Sequence, residues 1–172
     1  MKGLCGAGLL VATLALRQEA VPARPEEVLP KAVGPQPVAF SHRRHVEQTG
    51  LACELCHAGA ARGDAATLPP VTLCLTCHQS IKPDSAEVAK LAAAAAKGEE
   101  VPWVPVYRVP DYVFFGHAPH VKAGLDCSSC HGPVGTRDVL QKEVSTSMTA
   151  CLGCHRQRNA PQTCVACHQL GH

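Results

Sequence analysis

The feature that most constrains this chain is the pattern C-x-x-C-H, which occurs five times in 172 residues. The pattern is typical of covalent c-type haem attachment, because two thiols at this spacing reach the two vinyl groups of one porphyrin while the next residue presents an imidazole to the iron. Ten of the eleven cysteines belong to the five motifs. The motifs predict thioether links through Cys53, Cys56, Cys74, Cys77, Cys127, Cys130, Cys151, Cys154, Cys164 and Cys167, and iron ligands His57, His78, His131, His155 and His168.

Three other chemistries use paired cysteines. A disulfide framework would not place a histidine after every second cysteine, and a C-x-x-C redox motif needs one pair rather than five. Zinc is the stronger rival, but the adjacent cysteine and histidine of C-x-x-C-H do not easily take two corners of one tetrahedron. We therefore predict five covalently attached haem c groups as the cofactors.

The composition agrees with such a prediction. Hydrophobic residues make up 46% of the chain but aromatic residues only 3%, and much of the apolar share is alanine, which buries little area. Five porphyrins would supply the large apolar surfaces that the side chains lack. We expect a haem-filled core surrounded by mostly irregular backbone and small helices. The net charge of +2 gives no basic field for nucleic acid.

Five histidines lie outside the haem motifs. Four of them form two copies of the pattern F-x-H-x-x-H, which begin at Phe40 and Phe115. Each copy precedes two C-x-x-C-H motifs at closely similar distances, which indicates an internal duplication. A histidine pair that recurs ahead of haem sites predicts second axial ligands for the irons. The four predicted ligands are His42, His45, His117 and His120.

The duplication also predicts the domain organisation. A first dihaem module is expected over residues 40–83 and a second over 113–158. Residues 84–112 would connect the modules through a helix and a proline-rich segment. The fifth haem motif and the C-terminus occupy residues 159–172.

The connector carries signals of its own. Asp84 and Ser85 are expected to cap a helix that begins at Ala86 and runs to about Lys97, where Gly98 provides a stop signal. The following proline-rich segment is expected to be extended. Its aromatic side chains are expected to pack on haem faces or edges, with docking of a partner as the alternative.

The second ligand of the fifth haem, on His168, is left open by the motifs. His172 lies only four residues further on and would have to wrap around the edge of the ring to reach the opposite face. Met148 is one of two methionines in the chain, and a methionine can ligate a c-type haem. Met148, His172 and an open or water-bound iron are three alternatives for this site.

The first residues have the pattern of a targeting segment. Lys2 is followed by an uncharged stretch over 3–16, which is typical of a secretory signal peptide; we place it in residues 1–23, with a short retained N-terminal anchor as the alternative. Cys5 would be removed with a cleaved signal. A linker is expected over 24–39. No run of 18 apolar residues occurs, so membrane association is expected to be peripheral or through this segment. The chain is expected in the periplasm or on the outer face of the cytoplasmic membrane.

The F-x-H-x-x-H pattern ahead of C-x-x-C-H resembles the class III multihaem cytochromes c. A closer resemblance, over about residues 38–158, is to the pentahaem cytochrome subunit of alternative complex III, a membrane quinol oxidoreductase. The residues that carry it are Phe40-Ser41-His42, Leu68-Pro69-Pro70, Trp103, the stretch from Val109 to His117, His120-Val121, the stretch from Cys130 to Val134, Met148 to Cys151, and Cys154-His155-Arg156.

The resemblance implies which histidine serves which haem. His42 would be the second ligand of the His57 haem, His45 of the His78 haem, His117 of the His131 haem and His120 of the His155 haem. Met148 stands where the same template has the ligand of the last haem. The resemblance also implies redox partner proteins, among them an iron–sulfur and quinol-oxidising membrane complex.

Three functions follow as hypotheses. The first is electron transfer without transformation of a substrate, by a carrier or by a subunit of a quinol-linked complex. The second is a multihaem reductase, which needs an iron with an open position; ligand counting argues against it, because only the fifth haem could be open. The third is a haem filament in which His172 ligates a neighbouring subunit.

Overall fold

The computed structural model describes residues 28–168. Its elements are short, and most of the backbone between them is irregular, as expected. The signal segment, the first part of the proposed linker and His172 lie outside the described residues. The helices are α1 (His42–His45), α2 (Cys53–Cys56), α3 (Val71–His78), α4 (Ala86–Lys97), α5 (His117–Lys122), α6 (Ser128–His131) and α7 (Met148–Gln157), with 3-10 turns at Val134–Thr136 and Cys164–Ala166.

A two-stranded antiparallel sheet joins the start of the described chain to the segment that precedes α7. Strand β1 (Lys31–Ala32) pairs with β2 (Gln141–Lys142), with Lys31 opposite Lys142 and Ala32 opposite Gln141. The rest of the segment that precedes α1 is irregular and is tied to the connector. The side-chain amide of Gln36 donates to the carbonyl of Val104 at 2.9 Å and accepts from the backbone N–H of Val104 at 3.0 Å.

Each haem motif lies on a helical turn. Four motifs fall on or at the edge of α2, α3, α6 and α7, and the fifth begins in the 3-10 turn at Cys164–Ala166. Residues three positions apart share one face of a helix. The two thiols of each motif are therefore presented together, which is what attachment to a single porphyrin requires.

Helix α4 matches its sequence prediction closely. It runs over Ala86–Lys97 and ends at Gly98, whose φ of 68° is the left-handed cap conformation that glycine adopts without a steric penalty. Ser85 occupies the N-cap position, but its side chain makes no capping hydrogen bond. Val88 and Leu91 are buried, and the helix packs on α3.

The apolar core of side chains is small. Val38, Val71 and Leu91 form it, with Trp103 and Leu75 packed against them. No side chain of the described residues is completely buried. Apolar burial is the main term that offsets the conformational entropy of a folded chain, and this cluster supplies little of it. Further apolar surface is therefore needed for a stable fold.

The proline-rich part of the connector is irregular and belongs to no strand, and it turns at Trp103, whose N–H donates to the carbonyl of Val101 at 2.9 Å. Within residues 28–168, no helix has the length and hydrophobicity that a bilayer-spanning segment needs.

Candidate haem-binding centre

The first F-x-H-x-x-H copy forms a compact aromatic unit at α1. The ring of Phe40 lies 4.9 Å from that of His42 at 83° and 4.3 Å from that of His45 at 20°. The Nδ1 of His45 is 2.8 Å from the carbonyl oxygen of Ser41, which also caps α1 through its side chain. The phenylalanine thus holds both imidazoles of the motif, which accounts for its place in the pattern.

The second copy has nearly the same geometry at α5. The ring of Phe115 lies 4.8 Å from that of His117 at 83° and 4.7 Å from that of His120 at 32°. The Nδ1 of His120 is 2.7 Å from the carbonyl oxygen of Gly116. The local structures of the two copies therefore repeat, although Gly116 stands where the first copy has a serine.

Three of these four histidines face a motif histidine across a gap of similar size. The ring centres are 6.0 Å apart for His45 and His78, 6.3 Å for His117 and His131, and 6.1 Å for His120 and His155. At this spacing the two rings of a pair do not overlap face to face in close contact. The spacing fits two imidazoles that bind one metal from opposite sides, since metal–nitrogen bonds of about 2 Å put their ring centres about 6 Å apart.

His42 is the fourth histidine of this set. Its Nδ1 is buried and has no hydrogen-bond partner. Burial, reinforced by His57 and His45, lowers the pKa of His42 from 6.5 to about 4. His42 is therefore a neutral imidazole near His57, and the neutral form is the one that binds a metal.

Most of the histidines are oriented by the backbone. An Nδ1–H that donates to a carbonyl fixes the tautomer and leaves Nε2 free for a metal. Seven histidines place Nδ1 in this way. The acceptor carbonyls are those of Ser41 for His45, Thr67 for His57 (2.8 Å), Ile81 for His78 (2.9 Å), Asp64 for His117 (2.7 Å), Gly116 for His120, Pro161 for His155 (2.5 Å) and Tyr112 for His168 (3.1 Å).

The thiols reveal which motifs are neighbours. Burial raises the pKa of five motif thiols, and in four of them a thiol from another motif raises it further. The neighbours across motifs are Cys56 for Cys74, Cys53 for Cys127, Cys154 for Cys130, and both Cys130 and Cys167 for Cys151. In space the motifs therefore follow the order second, first, third, fourth, fifth.

The first and third motifs lie at the middle of this order. Burial lowers the pKa of His131, and His117 and then His57 lower it further. The histidine of the third motif is thus within electrostatic range of that of the first. Because these motifs occupy corresponding positions in the two halves of the chain, the halves meet through equivalent sites.

Two loops connect the two halves of the chain through hydrogen bonds and an ion pair. Asp64 follows His57 by seven residues, and Asp138 follows His131 by the same interval. The carbonyl of Asp64 accepts from the N–H of His117 at 3.0 Å, so the loop after the first motif holds the second F-x-H-x-x-H copy. The reciprocal loop holds the first copy, because the carboxylate of Asp138 accepts from Ser41 Oγ at 2.6 Å and forms an ion pair with Arg43.

The aromatic residues of the connector lie mainly against motif histidines. Tyr107 packs edge-on against His131 at 4.6 Å, and its hydroxyl donates to the carbonyl of His131 at 3.2 Å. The same hydroxyl accepts from the N–H groups of Glu143 (2.9 Å) and Val144 (3.2 Å). Tyr112 lies 5.9 Å from His168, whereas Trp103 contacts Phe40 at 6.2 Å.

The fifth motif is assembled from two distant segments. Phe114 N–H donates to the carbonyl of Cys167 at 2.8 Å, and Val113 forms an isolated bridge with His168. Met148 begins α7, one turn before Cys151, whose thiol has Cys167 as a neighbour. Met148 is 64% exposed. The other predicted ligand, His172, is outside the described residues.

The donor set fits haem c. The ten cysteines between Cys53 and Cys167 are free thiols. In the described chain, no three His, Cys, Asp or Glu side chains converge on a point where a bare metal ion would bind. The imidazoles instead face each other in pairs, which suits an iron whose other four ligands come from a porphyrin.

Sequence reasoning missed two sets of residues in this centre. The carbonyls that orient the histidines belong to several residue types, and no sequence pattern marks them. The paired aspartates, Asp64 and Asp138, did leave a signal, since each follows its motif histidine at the same interval.

The C-x-x-C-H motifs and the paired imidazoles form the donor set of a c-type cytochrome, and known proteins agree. The description "Class III cytochrome C family" matches residues 17–101, and "Cytochrome c7 and related cytochrome c" matches 113–169. The multiheme cytochrome c subunit of menaquinone reductase from Nitratidesulfovibrio vulgaris strain Hildenborough is 30% identical over 161 residues, 78% of this chain and 77% of that protein. The chain belongs to the class III-type multihaem cytochromes c, electron-transfer proteins with covalently bound haem c.

Proposed function

We propose that the chain is an exported pentahaem cytochrome c that carries single electrons as a carrier or as a subunit of a quinone-linked membrane complex. The observation that carries this proposal is the set of three imidazole pairs with ring centres 6.0–6.3 Å apart. When bound, haem c supplies one-electron chemistry between Fe(III) and Fe(II). The ten motif cysteines hold the haem groups, and the histidine pairs set the electron density at each iron.

The ligand pairs are those that the family resemblance implies. His45 with His78, His117 with His131, and His120 with His155 have supporting ring distances. The pair of His42 and His57 has the support of electrostatic proximity and of the neutral, buried state of His42. Two imidazoles on each iron leave no position for a substrate, so these four sites transfer electrons and do no substrate chemistry.

The order of the motifs gives the path of the electrons. The first dihaem module, residues 40–83, and the second, 113–158, meet through their first haem sites, and their second sites lie outward. The fifth site, held by residues 159–172, extends the second module. Electrons would therefore enter or leave at the His78 end and at the His168 end.

The fifth site favours Met148 as the second ligand. The residue lies one turn before Cys151, next to the fifth motif, and its side chain is exposed. A second function is tested as well, because within residues 28–168 the ring neighbour of His168 is Tyr112 and not a histidine. An open iron at this site would allow reductase chemistry.

The partner is proposed from the relatives. The relative from N. vulgaris is a subunit of a menaquinone reductase, and the sequence resembles the cytochrome subunit of alternative complex III. Both point to a quinone-linked membrane complex, and the resemblance to alternative complex III adds an iron–sulfur component. Haem attachment to these motifs takes place outside the cytoplasm, so we place the chain in the periplasm or on the outer face of the membrane, with residues 1–23 as its signal or anchor.

Haem stoichiometry and spin state test this proposal together. The intact mass of the mature protein should include five haem groups, and the oxidised protein should be low-spin. His117→Ala should convert one haem to the high-spin state, while Lys122→Ala, on the same helix but outside the ligand pairs, should leave the spectrum unchanged. A mass with fewer haems, or a low-spin His117→Ala variant, would contradict the proposal. A high-spin haem in the wild type that binds cyanide would favour the reductase.

A further inference from the structure

The hydrogen bonds of the histidine Nδ1 atoms divide the four proposed bis-histidine sites into two classes. Among these four, we call the sites of the second and fourth motifs the outer sites and those of the first and third motifs the central sites. At the two outer sites, every imidazole donates to a backbone carbonyl. His45 and His78 do so to Ser41 (2.8 Å) and Ile81 (2.9 Å). At the other outer site, His120 and His155 donate at 2.7 Å and 2.5 Å.

The two central sites have only one such bond each. His57 donates to the carbonyl of Thr67 at 2.8 Å, but its proposed partner His42 has a buried Nδ1 without any partner. His117 donates to the carbonyl of Asp64 at 2.7 Å. His131, opposite it, has no Nδ1 hydrogen bond among the described residues, and its orientation comes instead from Tyr107, which packs against its ring and binds its carbonyl oxygen.

This difference changes the electron density at the metal. An imidazole whose Nδ1–H donates a hydrogen bond is more basic and gives more electron density to the metal that Nε2 binds. Greater donation stabilises Fe(III) relative to Fe(II) and lowers the reduction potential. Hydrogen bonding around the ligands is one of the means by which a protein sets this potential.

We propose that His42 and His131, which lack this hydrogen bond, make the two central sites the higher-potential pair of the four bis-histidine sites, so that the first two electrons that these four sites take up reside there. The inference rests on the proposed function, because it uses the proposed ligand pairs. Each site takes one electron, Fe(III) to Fe(II), from an external reductant. Since the central sites adjoin each other, the chain would store two electrons between its lower-potential outer sites.

Holding two electrons at adjacent sites suits a protein that exchanges electrons with a quinone-linked complex. A quinol releases two electrons, whereas each haem takes one. Two adjacent sites of higher potential would hold both electrons after they pass the outer site, and they would keep that site oxidised for the next transfer. The backbone carbonyls at Ser41, Ile81, Gly116 and Pro161 thus act on the outer sites through the histidines that they orient.

A redox titration of the complete protein with dithionite and an oxidant tests the order. As an iron ligand, methionine raises the reduction potential of a haem relative to histidine. Each His→Met variant should therefore raise the potential of one reduction step in the titration and identify the haem that gives that step. His42→Met and His117→Met should each displace one of the two higher steps of the four. The matched variants His45→Met and His120→Met should displace the two lower steps.

The outcomes separate the two proposals. If each variant moves one step but the outer sites hold the higher potentials, the inference is wrong and the ligand pairs stand. If a variant moves no step, its ligand pair is wrong and the proposed function fails at that site.

A second measurement on the unmodified protein covers variants that do not fold. In ¹⁵N-histidine-labelled reduced protein, which is diamagnetic when its haems are low-spin, hydrogen-bonded Nδ1 protons resonate downfield of unbonded ones. The four proposed pairs contain eight imidazoles. The Nδ1 protons of His42 and His131 should resonate upfield of those of the other six. Eight equivalent shifts would overturn the inference.

Discussion

Tyr107 is the side chain whose loss should separate structural support from haem binding most clearly. Its hydroxyl joins three backbone groups, the carbonyl of His131 and the N–H groups of Glu143 and Val144, at 2.9–3.2 Å. Tyr107→Phe keeps the ring that packs on His131 and removes all three hydrogen bonds. Loss of a partner that leaves half-buried polar groups unpaired costs about 1–3 kcal/mol.

That cost corresponds to a measurable change in melting temperature. For a chain of this length, 1 kcal/mol shifts Tm by about 2–4 °C, so we expect Tyr107→Phe to lower Tm by roughly 2–12 °C. The assay is thermal unfolding of the haem-loaded protein, followed by far-ultraviolet circular dichroism. Haem content should not change, because no cysteine or ligand is altered.

Tyr112→Phe is the matched control. It makes the same chemical change on the same connector, but the hydroxyl of Tyr112 makes none of the described hydrogen bonds, and the residue is 61% exposed. Its Tm should stay close to that of the wild type. Equal Tm values for the two variants would refute the role assigned to the Tyr107 hydroxyl.

Three further predictions concern the contact between Asp64 and α5, the haem groups and an ion pair. Gly116→Ala should lower Tm, since its Cβ would stand 3.2 Å from the rigid ring of Pro119 and 2.9 Å from Asp64 Oδ1; Gly34→Ala, with no atom within 4 Å, should not. Protein made without haem attachment should show no cooperative unfolding transition in calorimetry, because the side-chain core is small. Glu87→Gln should slightly lower Tm at neutral pH. The difference in Tm between the wild type and this variant, followed by circular dichroism, should disappear as the pH is lowered.

The sign of the last effect follows from the hydrogen bonds of Glu87. Its carboxylate accepts from Lys90 and from the N–H of Ala39, which lowers its pKa below 4.5. A group with a lowered pKa in the folded state stabilises the protein above its unfolded pKa and loses that contribution as the pH falls through the folded value. A difference between wild type and Glu87→Gln that grows in acid would contradict this reasoning.

The local signals in the sequence predicted the regular part of the fold well. Helix α4 begins after Ser85 and ends at Gly98 because both residues suit those positions by their own chemistry. The absence of a regular strand from the described connector is equally consistent with its prolines. These features depend on neighbouring residues alone, so the sequence contains the information for them.

The site was predictable in its residue types and only partly in its arrangement. The F-x-H-x-x-H copies marked His45, His117 and His120, and the structure brings each opposite a motif histidine. The carbonyls that orient the imidazoles were not predictable, because a backbone acceptor exists at every residue and its direction depends on the tertiary fold. The same holds for Tyr107, whose hydroxyl binds a segment about 36 residues further along the chain.

The spatial order of the motifs was also hidden in the sequence. The second motif lies outside the first, and the first adjoins the third, because the loops at Asp64 and Asp138 cross between the halves. A duplication specifies two similar halves but not how they meet. Only the contacts between the loops and the opposite F-x-H-x-x-H helices determine that.

The paired histidine ligands are the central claim, and near-infrared magnetic circular dichroism of the fully oxidised protein tests them most directly. The ligand-to-metal charge-transfer band distinguishes two imidazoles from an imidazole and a thioether, and high-spin iron gives a different band. We expect four haem equivalents with two imidazoles and one equivalent with an imidazole and the thioether of Met148. Fewer than four bis-imidazole equivalents would contradict the proposed ligand pairs.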